Sequence, residues 1–327
     1  MKKIYLIFSV FAFLFYSCDN EFDVNASWEE VMVVYGLLNP AEEQQYIRVN
    51  KAYLGEGNAL DMASVSDSIQ YNNTDLEVSV STQINGEVIN ILFHDTIIEK
   101  DTGLFAIDNN IIYTAFIPED INFFSSNRTY TLNITNVITN NTINANTDVI
   151  DDFSFSAFNP SYKFGFYNPS IIDSDSSQFL TKTLSWNQFP NGIIYQLTLK
   201  FNYLENGVEN SLSWQQPINN YQGGAMSAKL EGARFFSFLR SQLEYSESVV
   251  REYVDLDLIM TVGTSDLATY INLNEPLTGI VQQRPEFTNI HNGLGIFSSR
   301  YVYVESGLGI TLDTQDYIIN ELDRNFQ

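Results

Sequence analysis

Along most of the chain apolar and polar residues alternate with a period of two, and a helical period appears only in the second half. A mostly apolar stretch at 31–38 predicts a buried strand. The next strand is predicted at 45–53, with Tyr46, Arg48 and Asn50 on one face and Ile47, Val49 and Lys51 on the other. Asn39-Pro40 is a turn between them. Residues 55–71 read as a long loop with a helical turn near 60–65. Leu76, Val78 and Val80 alternate with Glu77, Ser79 and Ser81, and Asn85-Gly86 then leads into 88–93. Asn-Gly between two apolar runs signals a hairpin, because both central residues must take positive φ. Asp101-Thr102-Gly103 is another turn, and further strands are predicted at 104–107, 111–117, 128–135 and 142–149. This spacing predicts an antiparallel β-sandwich of immunoglobulin-like type over 28–150.

Asp151-Asp152 marks the expected boundary to a second unit over 151–327. Strands are predicted at 181–186, 194–204, 211–215, 253–262 and 296–304, with a turn at Asn191-Gly192, which gives the second unit a fibronectin-like texture. Phe236, Leu239 and Leu243 fall at i, i+3 and i+7, with Phe235 on the same side, so an inserted amphipathic helix is predicted over 227–245. Gly232 weakens its start. Ser265-Asp266 can cap a short helix through Ile271, and Asp313 or Thr314 can cap a short C-terminal helix carrying Tyr317, Ile318 and Leu322. The expected fold is therefore mainly β, with two antiparallel sandwiches, the second carrying both an inserted and a terminal helix.

Composition narrows the function classes. A formal charge of −24 disfavours contact with nucleic acid and with anionic headgroups. The apolar fraction of 44% supports a packed core. Cys18 is the only cysteine, so no intrachain disulfide can form and stability must come from packing.

Candidate chemistry is sparse. Asp173-Ser174-Asp175-Ser176-Ser177 resembles the start of a calcium loop, but Gln178 stands where glycine is needed and Leu184 where the bidentate acid belongs. Gly293 and Gly295 permit a tight turn or a close backbone approach; a dinucleotide fingerprint would need glycine at Ser298 and a following helix. Asp255 and Asp257 share the outer face of a strand, where paired carboxylates are usually solvated. The two histidines, His94 and His291, lie far apart in sequence, and no nucleophile elbow, P-loop or zincin motif occurs. No cofactor, metal site or catalytic residue is expected. Trp28, Trp186 and Trp214 could supply contact area to a ligand, although core packing is the simpler reading of each.

The N-terminus speaks to location. Lys2 and Lys3 precede an apolar run over 4–16, and the small Ser17 stands before Cys18, so 1–17 read as a signal peptide. The run is shorter than the ~20 residues of a transmembrane helix. A lone cysteine directly after such a core resembles a bacterial lipobox, although Phe15 and Tyr16 are bulkier than usual. An ordinary signal peptide with a chance cysteine is the plain alternative. Acylation at Cys18 would anchor the chain in a lipid bilayer, and 18–27, with Asp19, Glu21 and Asp23, would be an acidic tether. A flexible tether of about nine residues spans roughly 15–18 Å.

Asn289-Ile290-His291-Asn292-Gly293-Leu294-Gly295-Ile296-Phe297 resembles the C-terminal signature of a Bacteroidetes lipoprotein family called domain of unknown function 4249. Asn289, Asn292, Gly293, Gly295 and Phe297 carry the resemblance; the Cys18 start, Val33-Val34-Tyr35-Gly36 and the helix around 235–239 are compatible with it. That family has no assigned activity, so no catalytic residue carries over. The resemblance implies a surface-exposed outer-membrane lipoprotein, and it implies a TonB-dependent outer-membrane β-barrel as neighbour. The leading expectation is thus a non-catalytic accessory that binds ligand or docks on such a transporter. An adhesin or structural surface module, and a hydrolase with an unrecognised site, are the alternatives.

Overall fold

A computed structural model of the chain describes residues 29–54, 65–72, 74–98, 110–171, 177–274 and 286–327. The signal segment 1–17, Cys18, the tether 18–27, Trp28, the turn at 101–103, the strand at 104–107 and most of the acidic stretch at 173–177 lie outside the described residues.

The protein is mainly β. Its strands are β1 (Glu29–Leu38), β2 (Gln44–Leu54), β3 (Leu76–Ile84), β4 (Glu87–Ile98), β5 (Asn110–Phe116), β6 (Thr129–Asn136) and β7 (Thr142–Asp148) in the first half. The second half adds β8 (Thr181–Trp186), β9 (Ile194–Glu205), β10 (Val208–Gln215), β11 (Asn219–Asn220), β12 (Met226–Glu231), β13 (Arg251–Gly263) and β14 (Leu294–Leu308). The helices of more than one turn are α1 (Gly232–Gln242), α2 (Ser265–Asn274) and α3 (Leu312–Asn320). Apart from the β8–β12 pair, the strands form one large open sheet in the order β10-β9-β13-β14-β1-β2-β5-β4-β3-β6-β7, with β11 beside β9.

The predicted turn chemistry operates as written. Asn85 and Gly86 take φ of 53° and 86° between β3 and β4. Asn206 and Gly207 repeat the device between β9 and β10, at 51° and 79°. Alternation sets the faces: Leu76, Val78 and Val80 of β3 and Tyr130, Leu132 and Ile134 of β6 are buried. They join Val34 of β1 and Ile47 and Val49 of β2 in one apolar cluster. A second cluster gathers residues from Ile150 to Phe326, centred on β9, β13 and the aromatic face of α1.

Two expectations are corrected. Pairing is not antiparallel throughout: β1 and β14 pair in parallel, from Val33 opposite Leu294 to Leu38 opposite Ser299, so the sheet is mixed and runs through both halves. No local pattern announces this contact, because its partners lie some 260 positions apart (Val33 and Leu294, for example). The inserted helix also starts later than its apolar spacing predicts. Residues 226–231 form β12 against β8, and α1 begins at Gly232. Gly232 donates its N–H to Leu180 O at 2.7 Å, and a Cβ there would lie 2.1 Å from Phe166 O. A backbone this close admits only glycine, so the residue that weakens a longer helix fixes the start of the shorter one. Phe235, Phe236, Leu239 and Leu243 are buried as the spacing predicts, and Phe235 stacks on Phe166 at 4.3 Å.

β14 is the strand on which both halves depend. Its first residues pair with β1, its later ones with β13, and Phe297 and Leu308 enter different clusters. Gly295 makes the parallel pairing possible: it sits at φ 100°, and a Cβ would lie 2.0 Å from Val34 O. Gly295→Ala is therefore expected to cost about 3 kcal/mol or more, since no rotamer relieves an overlap with backbone. Gly207→Ala, with similar φ but no atom within 4 Å, is expected to cost only ~1–2 kcal/mol. Urea denaturation of the two variants beside the parent measures the difference.

Candidate functional site

The residues of the expected signature bond to the backbone of neighbouring segments. They form a clasp. β13 leaves β14 at Gly263 opposite Arg300, and the Asn289 side chain continues the ladder beyond it. Asn289 Oδ1 accepts the Phe297 N–H at 2.9 Å, and its Nδ2 donates to Phe297 O at 2.6 Å. The same Nδ2 donates to Asp266 Oδ2 at 2.8 Å and so ties the first turn of α2 to β14. Asn292 takes φ 60°, and a Cβ on Gly293 would lie 3.0 Å from Met32 O. His291 donates its backbone N–H to Asn144 O at 2.8 Å, which joins the clasp to β7. The Phe297 ring is buried over Gly36, where an added Cβ would lie 3.0 Å from it.

Beside the clasp a cleft of about 480 Å³ opens where the two halves meet. Thr129, Asn146, Thr147 and Asp148 line it from β6 and β7; Asn191, Ile193, Thr264, Ser265 and Asp266 line it from the other half. Asn191 spans the junction, donating from Nδ2 to Ser126 O at 2.8 Å and to Val149 O at 2.9 Å. Under the cleft lie three buried hydroxyls. Thr264 Oγ1 and Ser298 Oγ are 2.7 Å apart, and Ser299 Oγ donates to Leu38 O at 3.0 Å. These bonds let polar groups sit between two apolar clusters without the penalty of an unpaired buried donor. Asp148 accepts from Thr129 Oγ1 at 2.8 Å. The described lining thus offers carboxylates, hydroxyls and amides and no cationic side chain, a set that matches a neutral or cationic ligand with hydroxyl or amide groups.

The other sequence candidates lie elsewhere. Asp255 and Asp257 share a face as expected, but Asp257 is not solvated: its side chain is 12% exposed. Register shifts between Tyr253 and Asp255 and between Leu256 and Leu258 draw both carboxylates onto Asn202. Asn202 Nδ2 donates to Asp255 Oδ1 at 2.7 Å and to Asp257 Oδ2 at 2.9 Å, and Lys200 Nζ lies 3.4 Å from Asp257. Burial pushes the Asp257 carboxyl up, but hydrogen bonds from Asn202 and Ser306 and the Lys200 charge outweigh it and hold the group below its usual range. Asp255 borders a groove of about 830 Å³ with Tyr203 and Glu209. His94 lies on β4 opposite Thr114 and is exposed. Trp186 is core, and Trp214 packs on α1, 6.1 Å from Phe238. Among the described residues no three His, Cys, Asp or Glu side chains gather as a metal site.

Sequence reasoning missed Thr264, Asn191 and the Ser298-Ser299 pair. Two consecutive serines directly after the apolar run 294–297 were the available signal, since a buried polar pair there must meet partners across a seam. No known family model matches the chain, and a search of curated proteins finds no match.

Two outcomes follow. Asn289→Ala removes three hydrogen bonds at once and leaves Phe297 N–H without its partner, so a loss of about 2–4 kcal/mol is expected in urea denaturation, with faster amide exchange at Phe297. Asp257 has a folded pKa below its unfolded value, so its stabilising share is complete above about pH 4 and is lost as pH falls through the folded value. The drop in urea midpoint from pH 6 to pH 3 should be smaller in Asp257→Asn than in the parent.

Proposed function

We propose that the protein is an outer-membrane lipoprotein, anchored through acylated Cys18 and facing the cell surface, that acts without catalysis as a ligand-binding accessory or docking partner of a TonB-dependent β-barrel transporter. One observation carries the reading: a lone cysteine stands directly after a signal-type core, acidic residues follow it, and the first described strand begins as close as Glu29. A body tethered so briefly must work within a few nanometres of the lipid or of a membrane neighbour. The likeness of 289–297 to a lipoprotein family of the Bacteroidetes supports the same compartment and the same kind of neighbour.

The finer architecture belongs to this proposal. The strands β3, β6 and β7 and the first part of β4 face β1, β2 and β5 across one apolar cluster, which supports an immunoglobulin-like sandwich over 28–150. The second body, 151–327, is built on β9, β13 and the later part of β14, with α1 over its aromatic core. Its ligand site is the polar cleft between the two bodies, where the lining favours a neutral or cationic molecule that hydrogen-bonds to Asp148 and Asp266.

The test is a C-terminally tagged full chain extracted from outer membranes in mild detergent. The expected result is an acyl mass on the N-terminal peptide, a barrel protein co-purifying in stoichiometric amount, and release of Cys18→Ser from the membrane. Surface exposure that depends on Cys18 with no barrel attached would remove the transporter role and leave an independent surface module.

A further inference from the structure

The outer face of the first-half sheet is covered only in part. Val34, Ile47, Val49, Tyr113 and Ala115 turn into the apolar cluster of that half. Alternation therefore turns Tyr35, Tyr46 and Phe116 to the opposite face. There α2 packs Leu267 and Ala268 over Ile296, with Leu37 against them. β1, β2 and β5 lie open beside it, with Tyr35, Tyr46 and Phe116 at 46%, 50% and 60% exposure.

Among the described residues five aromatic side chains are exposed, and the other two are Tyr162 and Tyr245. The first three fall on one line. Tyr35 stands opposite Arg48, and Tyr46 lies two residues from Arg48 along β2. Tyr46 stands opposite Thr114, and Phe116 lies two residues beyond Thr114 on β5. Both steps advance in the same sense, because β2 is antiparallel to both of its neighbours. Each step joins diagonal neighbours ~7–8 Å apart, so the line crosses three strands over roughly 15 Å.

The groups around the line are held in place. Arg48 donates from Nε to Asn50 Oδ1 at 2.7 Å and from Nη2 to Asn110 Oδ1 at 3.4 Å, which draws the guanidinium away from Tyr46. Tyr270 of α2 meets Tyr35 through their hydroxyls. In a chain with 40 acidic residues this face holds no carboxylate: the outward positions of β1 from 31 to 37, β2 from 44 to 50, β5 from 110 to 116 and β4 from 92 to 98 carry none, and Arg48 is their one charged side chain.

A row of rings on an open β face is a stacking platform for a chain of flat units. Nucleic acid has such units, but a formal charge of −24 repels its phosphates. Pyranose rings offer apolar C–H faces to the aromatic rings and hydroxyls to the polar groups between them, here Arg48, Thr114 and Gln44. The charge of the molecule and the carboxylate-free face together select an uncharged glycan. We infer that Tyr35, Tyr46 and Phe116 form a binding platform for an uncharged oligosaccharide, laid diagonally across β1, β2 and β5. The platform shares no residue with the cleft and does not depend on acylation of Cys18.

The test is calorimetric titration of the full chain, held in a detergent without a sugar headgroup, with cellohexaose, xylohexaose, mannohexaose, laminarihexaose, maltohexaose and chitohexaose. The expected result is binding of at least one of them, at least tenfold tighter than the matching disaccharide. Tyr46→Ala, Tyr35→Ala and Phe116→Ala each weaken it at least tenfold with an unchanged urea midpoint, Tyr46→Phe keeps it, and Tyr162→Ala leaves it unaltered. Binding of none of the six overturns the platform and leaves the anchor and the cleft untouched. Binding that survives all three ring variants but is lost in Asp266→Ala places the sugar in the cleft and overturns it as well. A protein that co-purifies with the parent and not with Tyr46→Ala, while no oligosaccharide binds, assigns the face to a protein interface and also overturns it.

Discussion

The parallel contact between β1 and β14 is the constraint on which the rest of the structure depends. A parallel pair needs a crossover connection, and here that connection is most of the chain. Closing so long a loop is entropically costly, so the contact must be tightly specified to form in one register. Gly295 supplies the specification on one side, because only a residue without Cβ fits against Val34 O. Asn289 supplies it on the other, with an amide that bonds both backbone groups of Phe297. The buried hydroxyls of Thr264, Ser298 and Ser299 fix the seam beneath. A slip by one residue would move Phe297 out of its cluster and bring Ser298 or Ile296 into it, which opposes that slip.

The contact also sets where the two halves meet. The first half starts at Glu29, near the proposed anchor, and the second is built around the far part of β14. Their junction is polar, and its cleft draws on both. Asp148 is held by Thr129 within the first half and Asp266 by Asn289 within the second, so each half holds its own carboxylate at the cleft.

What the sequence made legible was local. Alternation located most strands, and Asn85-Gly86 and Asn191-Gly192 were read as turns, because turn geometry depends on adjacent residues. The aromatic face of α1 was legible, but its start was not, since the reason for Gly232 lies in Phe166 O and Leu180 O on distant segments. For the same reason Gly293 and Gly295 signalled a close approach without naming Met32 and Val34 as the partners. Asp257 read as solvated because a bulge and a bridging Asn202 have no signature in an alternating strand. The site was the least legible part: its lining comes from four separated segments, none with a motif of its own.

If β14 couples the halves, they should unfold together. Hydrogen exchange followed by mass spectrometry across a urea series, comparing peptides from β6 with peptides from β9, tests this most directly. The account predicts loss of protection in both at one midpoint. Two separate midpoints, with β9 protected after β6 has opened or the reverse, would contradict it.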